Sequence, residues 1–561
     1  MQKEIIKANI VVFIASFCTL VIELVAGRIM APYVGVSLYT WTSIIGVVLA
    51  GISIGAYVGG LIADRYPRAS TLGWLLFLSG LGAFAISPLT TLAGGAEFQT
   101  ALMVRILLIT AIIFFLPSCL LGMISPVVVR LTLKNLKKTG HVVGKIYAFS
   151  TLGSILGTFA TGFFLISWMG TRSILLSMGA ILIISAPIFG GFLTKVKTLV
   201  TFALILSFFL LLPLAGLYAY AAIAPGTIDI PANPVIALKT AYVYAFTPPF
   251  DEDAYFFKES NYYTIKLKKG QRDGNKSLET LVLDHLIHSY TDLNDPGYLK
   301  YEYIQIYEEI VRWQEKKRNS CNALFLGGGG YTFPRFLDAR YKHAAIDVVE
   351  IDPEIIRVSQ QYLGVAKDSH IRSYNEDGRW FVMICKEQGK YDFVFGDAFN
   401  DLSIPYHLTT KEFALQLKRL MKPDGLLLVN VIDSFQHGAF MPSYIRTLEE
   451  VFGKGNVHLI LLTSDYADIG ITTFVIVASP QKLDMQAFVR TIKKEKAAEA
   501  EGGLLASDPL VKDKMVSHVM PEDQLAQYLK ERYSVILTDD YVPADNLIAP
   551  IFEERFGYRR Q

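Results

Sequence analysis

The sequence predicts two unlike halves: an all-α, multi-span membrane domain, then a doubly wound α/β domain entered through a small β-hairpin region. Three observations carry this. Seven apolar stretches before residue 225 approach or exceed the roughly 20 residues that cross a bilayer. One stretch, Ala323 to Asp352, has the pattern strand, glycine turn, helix, strand, acid. Beyond it, short apolar runs alternate with amphipathic segments, the pattern of strands and helices in an α/β sheet. The expected divisions are 1–225 for the membrane domain, 226–318 for a linker with the small β region and a helix, and 319–561 for a nucleoside-binding domain.

Composition agrees. Hydrophobic residues make up 52% of the 561 and mean hydropathy is +0.36, high for a soluble protein. The formal net charge of +2 gives no general case for nucleic-acid binding. Four cysteines, Cys18, Cys119, Cys321 and Cys385, form no CxxC and no cluster with histidine, so no structural zinc is expected.

The spans are expected near 8–30, 40–63, 71–93, 102–126, 143–168, 172–193 and 198–222. The first is too long for a signal peptide and is expected to be retained. Small residues recur about every fourth position, at Gly51, Gly55, Gly59 and Gly60 on the second span and Gly153, Gly157 and Gly162 on the fifth. That spacing lets helices approach closely. Glu23 and Arg28 place charge near the outer end of the first span, where a functional site or snorkelling of the arginine are both open. The loop Gly60 to Arg68 resembles the basic loop after the second helix of major-facilitator transporters. Seven spans are too few for that family, so a complete transporter is not expected.

If the spans alternate, Lys3, Lys7, Arg65, Arg68, Arg130, Lys134, Lys137, Lys138, Lys145, Lys195 and Lys197 fall on one side. The other side shows mainly Arg28, Arg105 and Arg172. The positive-inside rule then puts the N-terminus in the cytoplasm, and an odd number of spans puts the C-terminal domain outside. A nucleoside ligand is expected inside. The two expectations conflict.

After the linker, Tyr262 to Leu267 and Leu281 to Leu283 alternate as strands around a turn at Gly270 to Gly274. A helix is expected over about 298–317. The run Ala323 to Leu326 then ends in Gly327, Gly328, Gly329 and Gly330. Glycines turn tightly and let a ligand approach the backbone. The second run closes on Glu350, which follows Gly329 by 21 residues, near the roughly 20 of a nucleoside-binding unit. An acid there accepts hydrogen bonds from both ribose hydroxyls.

Further helices are expected at 353–362, from Asp377-Gly378 onward, and from Thr410 to Met421. Further strands are expected at Tyr391 to Phe395, Leu426 to Ile432, 457–463 and 471–478, in a mostly parallel sheet. Lys493 to Gly503 looks like a solvated insertion. Ligands bind beyond the carboxyl ends of such strands. Asp397 ends one strand, where it can orient an amine and accept its proton; the plain alternative is a turn cap. Asp377 opens a helix, where it can bond an adenine amino group or act as a plain N-cap.

Taken in order, these residues resemble the spermidine synthase (polyamine aminopropyltransferase) family in its membrane-fused form, from about Glu259 to the late strands. The resemblance implies a methyltransferase-type, Rossmann-like fold. It implies transfer of an aminopropyl group from decarboxylated S-adenosylmethionine to an amine acceptor, with no metal. The implied nucleoside-side residues are Gly327, Gly328, Gly329, Glu350, Asp377, Gly378 and Pro405. Asp397 is the implied catalytic residue, and Asp401, Tyr263, Tyr301 and Glu302 face the acceptor. Leu281 to Asp284 matches the family's hairpin strand, and the tail Leu537 to Pro543 resembles membrane-fused relatives. The expected partners are a small-molecule amine, the lipid bilayer and a second copy of the chain, with no nucleic acid. The expected location is the cell membrane, as a multi-pass protein.

This sequence departs from the family at several positions. The acid of the glycine motif is Gly330. A glutamine of the hairpin region is Tyr263, another is His288, and the Tyr-His-Glu motif is Tyr301-Glu302-Tyr303. Nucleoside-side residues are kept while those around the transferred group and the acceptor change. Two alternatives therefore stand beside aminopropyl transfer. One is transfer of methyl or aminocarboxypropyl from S-adenosylmethionine itself. The other is a non-enzymatic binding module for polyamines or nucleosides, coupled to transport.

Overall fold

A computed structural model of the chain describes residues 2–34, 37–94, 102–133, 139–223, 233–246, 254–273, 276–284, 286–316, 321–398, 404–466, 469–501 and 515–555. By its contacts the chain divides into two units, Met1–Glu252 and Asp253–Gln561.

The first unit is helical: α1 (Gln2–Val34), α2 (Leu38–Arg65), α3 (Ala69–Gly94), α4 (Leu102–Gly122), α5 (Ile124–Thr132), α6 (Thr139–Ala160), the single turn α7 (Ile166–Trp168), α8 (Thr171–Phe189), α9 (Val196–Ile223) and α10 (Pro234–Phe246). Seven helical stretches among the described residues are long and apolar enough to cross a membrane: Glu4–Ala31, Leu38–Arg65, Ala69–Ala93, Met103–Thr132, Thr139–Leu165, Thr171–Phe189 and Val196–Leu214. They match the seven stretches read from hydropathy. α10 lies in a segment expected to be linker; it packs on α9, and the Tyr242 hydroxyl donates to the Leu210 carbonyl at 2.9 Å.

In a bilayer, apolar side chains gain little by leaving lipid for protein, so packing rests on close helix approach. α2 lies against α4, and α1 against α6. A Cβ on Gly55 would fall 2.1 Å from the Cys119 carbonyl oxygen, and one on Gly153 would fall 2.3 Å from that of Phe13. Gly60 and Gly162 meet nothing within 4 Å, which corrects the expectation that each glycine row is wholly a packing face. Glu23 is half-buried on α1, and Arg130 donates to Asp64 at 3.1 Å.

The second unit opens with an antiparallel sheet of β1 (Ala254–Glu259), β2 (Thr264–Asp273), β3 (Lys276–Leu283) and β4 (Leu286–Thr291), in that spatial order. The hairpin read from sequence is its middle pair. Next come α11 (Glu302–Glu315), β5 (Cys321–Leu326), α12 (Thr332–Arg340), β6 (Ala344–Val349), α13 (Pro353–Tyr362), β7 (Ile371–Tyr374), α14 (Gly378–Ile384) and β8 (Tyr391–Gly396). The remainder is α15 (Lys411–Leu420), β9 (Met421–Ser434), α16 (Phe440–Phe452), β10 (Val457–Leu461), β11 (Ile471–Ala478), α17 (Met485–Glu501), β12 (His518–Val519), α18 (Glu522–Glu531) and α19 (Ala544–Arg555).

The main sheet runs β12-β10-β11-β9-β8-β5-β6-β7. β5 to β9 are parallel, whereas β11 runs antiparallel to both β9 and β10. The late strands thus make the sheet mixed. Only the nine residues 462–470 separate β10 from β11, and only antiparallel neighbours can be joined so briefly.

Phe325, Phe393, Phe395, Leu426, Leu428 and Val475 form the core between the layers. α11 crosses this core. Its buried Glu309 accepts from the backbone N–H groups of Val516 and Ser517 at 2.9 and 3.0 Å, so the charge is satisfied. Lys493 to Glu501 continue α17, whose Phe488 and Ile492 are buried and whose Phe488 ring meets Trp313 at 5.4 Å. Gly502 and Gly503, in the expected insertion, lie outside the described residues. Cys321 is buried and Cys385 partly so.

Candidate active site

β5 and β8 are parallel neighbours at the centre of the sheet, so the loops that leave them touch. The N–H of Asp397 donates to the Leu326 carbonyl at 2.9 Å. Gly327 has φ +98, and a Cβ there would lie 2.2 Å from the Asp397 carbonyl oxygen, so only glycine fits. This crossing sets the nucleoside-side loop and the candidate base next to one another.

Glu350 follows β6, one strand further along. Its Oε2 accepts from the Gly328 N–H at 2.8 Å and its Oε1 from the Asp352 N–H at 3.0 Å. Burial pushes its carboxyl up, and these backbone donors pull the other way. Asp352 caps α13 through the Glu354 N–H at 2.9 Å and also accepts from the Ser260 hydroxyl. Ser260 Oγ in turn accepts from the N–H groups of Tyr262 and Tyr263 at 3.1 and 2.9 Å. The small sheet is therefore clasped to the main one beside Glu350. The Tyr263 hydroxyl is pushed well above its usual range by burial and then by the nearby Glu350, Asp352 and Asp284 carboxylates.

Asp377 is the N-cap of α14: its Oδ1 accepts from the N–H groups of Arg379 and Trp380 at 2.9 and 3.0 Å. Its Oδ2 accepts from His407 Nε2 at 3.0 Å. The helix cap expected from sequence thus occupies one carboxylate oxygen, and His407 the other. Gly378 lies beside Leu326 and Leu408; with Ile404, Pro405 and Ala398 these two leucines line an apolar slot.

Asp397 stands at the floor of a second, polar cleft lined by His288, Ser289, Tyr301, Tyr303, Tyr307 and the glycine loop. Tyr303 donates to its Oδ2 at 3.0 Å and Asn430 Nδ2 donates to its Oδ1 at 2.6 Å. Burial pushes the carboxyl up to about 6, against the pull of these two donors. A carboxylate so placed can take a proton near neutral pH. The Tyr301 ring lines the same cleft, while its hydroxyl donates to the Ile287 carbonyl at 2.8 Å.

The structure thus brings Gly327, Gly328, Gly329, Tyr301 and Asp397 around the crossing, with Glu350 bonded to the glycine turn and Tyr263 near Glu350; Pro405 lines the apolar slot, Gly378 lies against its leucines and Asp377 precedes Gly378. Glu302 is exposed in the first turn of α11 and does not line the polar cleft. Asp401 lies outside the described residues. No group of His, Cys, Asp or Glu able to hold a metal occurs among the described residues.

Sequence reasoning missed Tyr303, Asn430, Ser289, His407 and Arg379. Two signals were available. Tyr303 and Tyr307 are spaced four apart on α11, which puts both on the face toward β8. Asn430 interrupts the apolar run Leu426 to Val431, and a polar residue inside a buried strand requires a partner.

Comparison with known proteins follows this geometry. Residues 310–486 match the spermine/spermidine synthase domain. A polyamine aminopropyltransferase of Vibrio vulnificus is 33% identical over 132 residues, which is 23% of this chain and 43% of that one. The chain therefore spans less than half the length of that relative. Polyamine aminopropyltransferase 2 of Aquifex aeolicus is 24% identical over 498 residues, covering 86% of this chain and 90% of its own. A probable spermidine synthase structure from Corynebacterium glutamicum shows only a weak likeness, with TM-score 0.42 and 19% identity over 50% of this chain and 95% of that one. The C-terminal half of this chain thus contains, over residues 310–486, a match to the spermine/spermidine synthase domain, and among the described residues its N-terminal half has seven helical stretches long and apolar enough to cross a membrane.

Proposed function

We propose that the C-terminal domain transfers an aminopropyl group from decarboxylated S-adenosylmethionine to a small amine, releasing methylthioadenosine. The observation that carries this is the crossing of the β5 and β8 loops. It sets a glycine turn, Glu350 and a carboxylate poised near neutral pH around one cleft. The domain match and the names of the relatives support the same reading.

In this reading Glu350 holds the ribose hydroxyls. Asp377 accepts from the base amino group, and Pro405, Leu408 and Leu326 enclose the ring. Gly327, Gly328 and Gly329 let the sulfonium end approach the backbone. The amine nitrogen attacks the carbon bonded to sulfur; the carbon–sulfur bond breaks and its electron pair stays on the leaving thioether. Asp397 takes the proton the amine sheds. Tyr301 walls the acceptor side of the polar cleft, and Tyr263 stands beside Glu350. A positive sulfonium is already a good leaving group, so the proposal needs no metal.

We place the protein in the cell membrane as a multi-pass, self-associating chain, with 226–318 as a connecting region and 319–561 as the nucleoside-binding domain. A second reading has S-adenosylmethionine itself as donor of a methyl or aminocarboxypropyl group. It is favoured by the uncharged wall at Gly330 and Ser289. The experiment supplies the full chain with each sulfonium nucleoside and a panel of amines. Methylthioadenosine from the decarboxylated nucleoside alone supports the proposal. S-adenosylhomocysteine, or turnover only with S-adenosylmethionine, replaces it with the second reading. Binding without turnover of either leaves a binding module.

A further inference from the structure

The tail Leu537 to Pro543 has no part in the chemistry above, yet it is fixed to the same edge of the domain. Leu537 is fully buried; its N–H donates to Thr447 Oγ1 at 2.9 Å and its carbonyl accepts from the Lys411 N–H at 2.8 Å. A tight turn follows, with Thr538 and Tyr541 exchanging backbone hydrogen bonds at 3.0 Å. The Asp539 N–H donates to Glu412 at 3.0 Å. The Asp539 carboxylate is thereby aimed at Arg379, which grips it with both terminal nitrogens, one at 2.8 Å.

Arg379 lies two residues after Asp377, and the same guanidinium also donates to the His407 carbonyl at 2.8 Å and to Thr410 Oγ1 at 3.3 Å. His407 Nε2 then donates to Asp377 Oδ2 at 3.0 Å. A continuous series of contacts runs from the tail, through Arg379 and His407, to the Asp377 carboxylate, next in the chain to Gly378 and the leucines of the apolar slot. A planar fork held by a carboxylate fixes direction as well as distance.

We propose that Asp539 is a positioning residue of the nucleoside site: through Arg379 and His407 it holds Asp377 in the orientation that reads the amino group of the base. This rests on the assignment of the apolar slot to the base. Asp539 touches no substrate.

The test is calorimetry on the full chain in detergent, with methylthioadenosine and its 6-oxo counterpart methylthioinosine as probes. The wild type is expected to prefer the amino nucleoside. Asp539→Asn should reduce that preference about tenfold, the scale of a lost charge-assisted hydrogen bond, by weakening methylthioadenosine and leaving methylthioinosine nearly unchanged. Asp539→Glu should restore most of it. If Asp539→Asn does not fold, Arg379→Lys, which keeps the charge and loses the fork, is tested in its place. A wild-type preference that survives the substitution overturns the proposal, as does equal weakening of both probes, which marks a merely structural role. A wild type that binds both probes equally overturns the base assignment itself, and this proposal with it.

Discussion

The Ser289 side chain fills the space that a side chain at position 330 would need: a Cβ built on Gly330 falls 1.8 Å from Ser289 Oγ and 2.5 Å from its Cβ. Ser289 is 4% exposed, and its hydroxyl finds no hydrogen-bond partner among the described residues. The two residues act as a pair, one large enough to close the wall and one small enough to allow it. Gly330→Asp alone should therefore cost about 1–3 kcal/mol of stability through overpacking. Ser289→Gly together with Gly330→Asp should recover most of that cost, and should favour the decarboxylated nucleoside over S-adenosylmethionine about tenfold more than wild type does, because the new carboxylate repels the carboxylate that only S-adenosylmethionine carries. Thermal unfolding and paired binding titrations check both parts. A double variant no more stable than the single one would show that Ser289 is not the obstacle.

Asp397 provides a pH signature. Its carboxyl is pushed up to about 6, so the ionised form needed for proton acceptance is lost as pH falls through that value. In the proposed reaction kcat/KM should drop about tenfold per pH unit below about 6. Tyr303→Phe removes a donor to the ionised form and should move this limb up by about one unit. Asp397→Asn should keep nucleoside binding and lower turnover about 100-fold or more. Stability runs the other way. A carboxyl raised by folding stabilises the protein most below its unfolded pKa, and that contribution is lost as pH rises through about 6. Asp397→Asn should thus be more stable than wild type by about 1–3 kcal/mol at pH 8, with the difference shrinking toward pH 4. A pH-independent difference would remove the assignment of the raised group.

Glu350 carries the ribose assignment. Its two oxygens already accept from the Gly328 and Asp352 N–H groups, so each has a lone pair left for a hydroxyl. Glu350→Gln should weaken nucleoside binding by about 1.5–3 kcal/mol, the worth of hydrogen bonds to a charged group. The new amide also turns a donor toward one of those N–H groups, so a loss of thermal stability should accompany it. Unchanged affinity in calorimetry would separate Glu350 from the ribose.

What could be read from the sequence follows from the range of each signal. The turn at Gly327 to Gly330 and the acid at Glu350 belong to one local unit, and local spacing fixes both. Apolar length fixes the seven long helices in the same way. The pairing of Asp397 with Tyr303 and Asn430 joins β8, α11 and β9, and no periodicity within one element shows which polar side chains meet across three. The direction of β11 was not legible in its own pattern, because a short apolar strand looks the same whether it runs parallel or antiparallel; the brevity of 462–470 is the signal that distinguishes them. Helix α10 escaped notice because its thirteen residues are too few for a span and follow a proline-rich stretch that reads as linker.

The side of the membrane on which the C-terminal domain lies decides whether the proposed co-substrate can reach it. Two physical rules disagree here. Basic residues gather on the side of the N-terminus, and such loops favour the cytoplasm. Seven crossings, the number of long apolar helices among the described residues, would then carry the C-terminal domain outside. The proposed chemistry requires a sulfonium nucleoside made inside the cell. The site carries more independent features than the charge count: a glycine crossing, a backbone-held Glu350 and a clamped Asp397 each require their own residues, whereas one span lying flat in the interface would reverse the topology. The C-terminal domain is therefore expected in the cytoplasm. Tyr533, 67% exposed on that domain, offers a reporter position, since the described cysteines there are buried or partly so. A membrane-impermeant maleimide should leave Tyr533→Cys unlabelled in intact cells and label it after lysis. Labelling in intact cells would place the domain outside; aminopropyl transfer would then require a nucleoside delivered across the membrane, and the proposal would fall to a binding module coupled to transport.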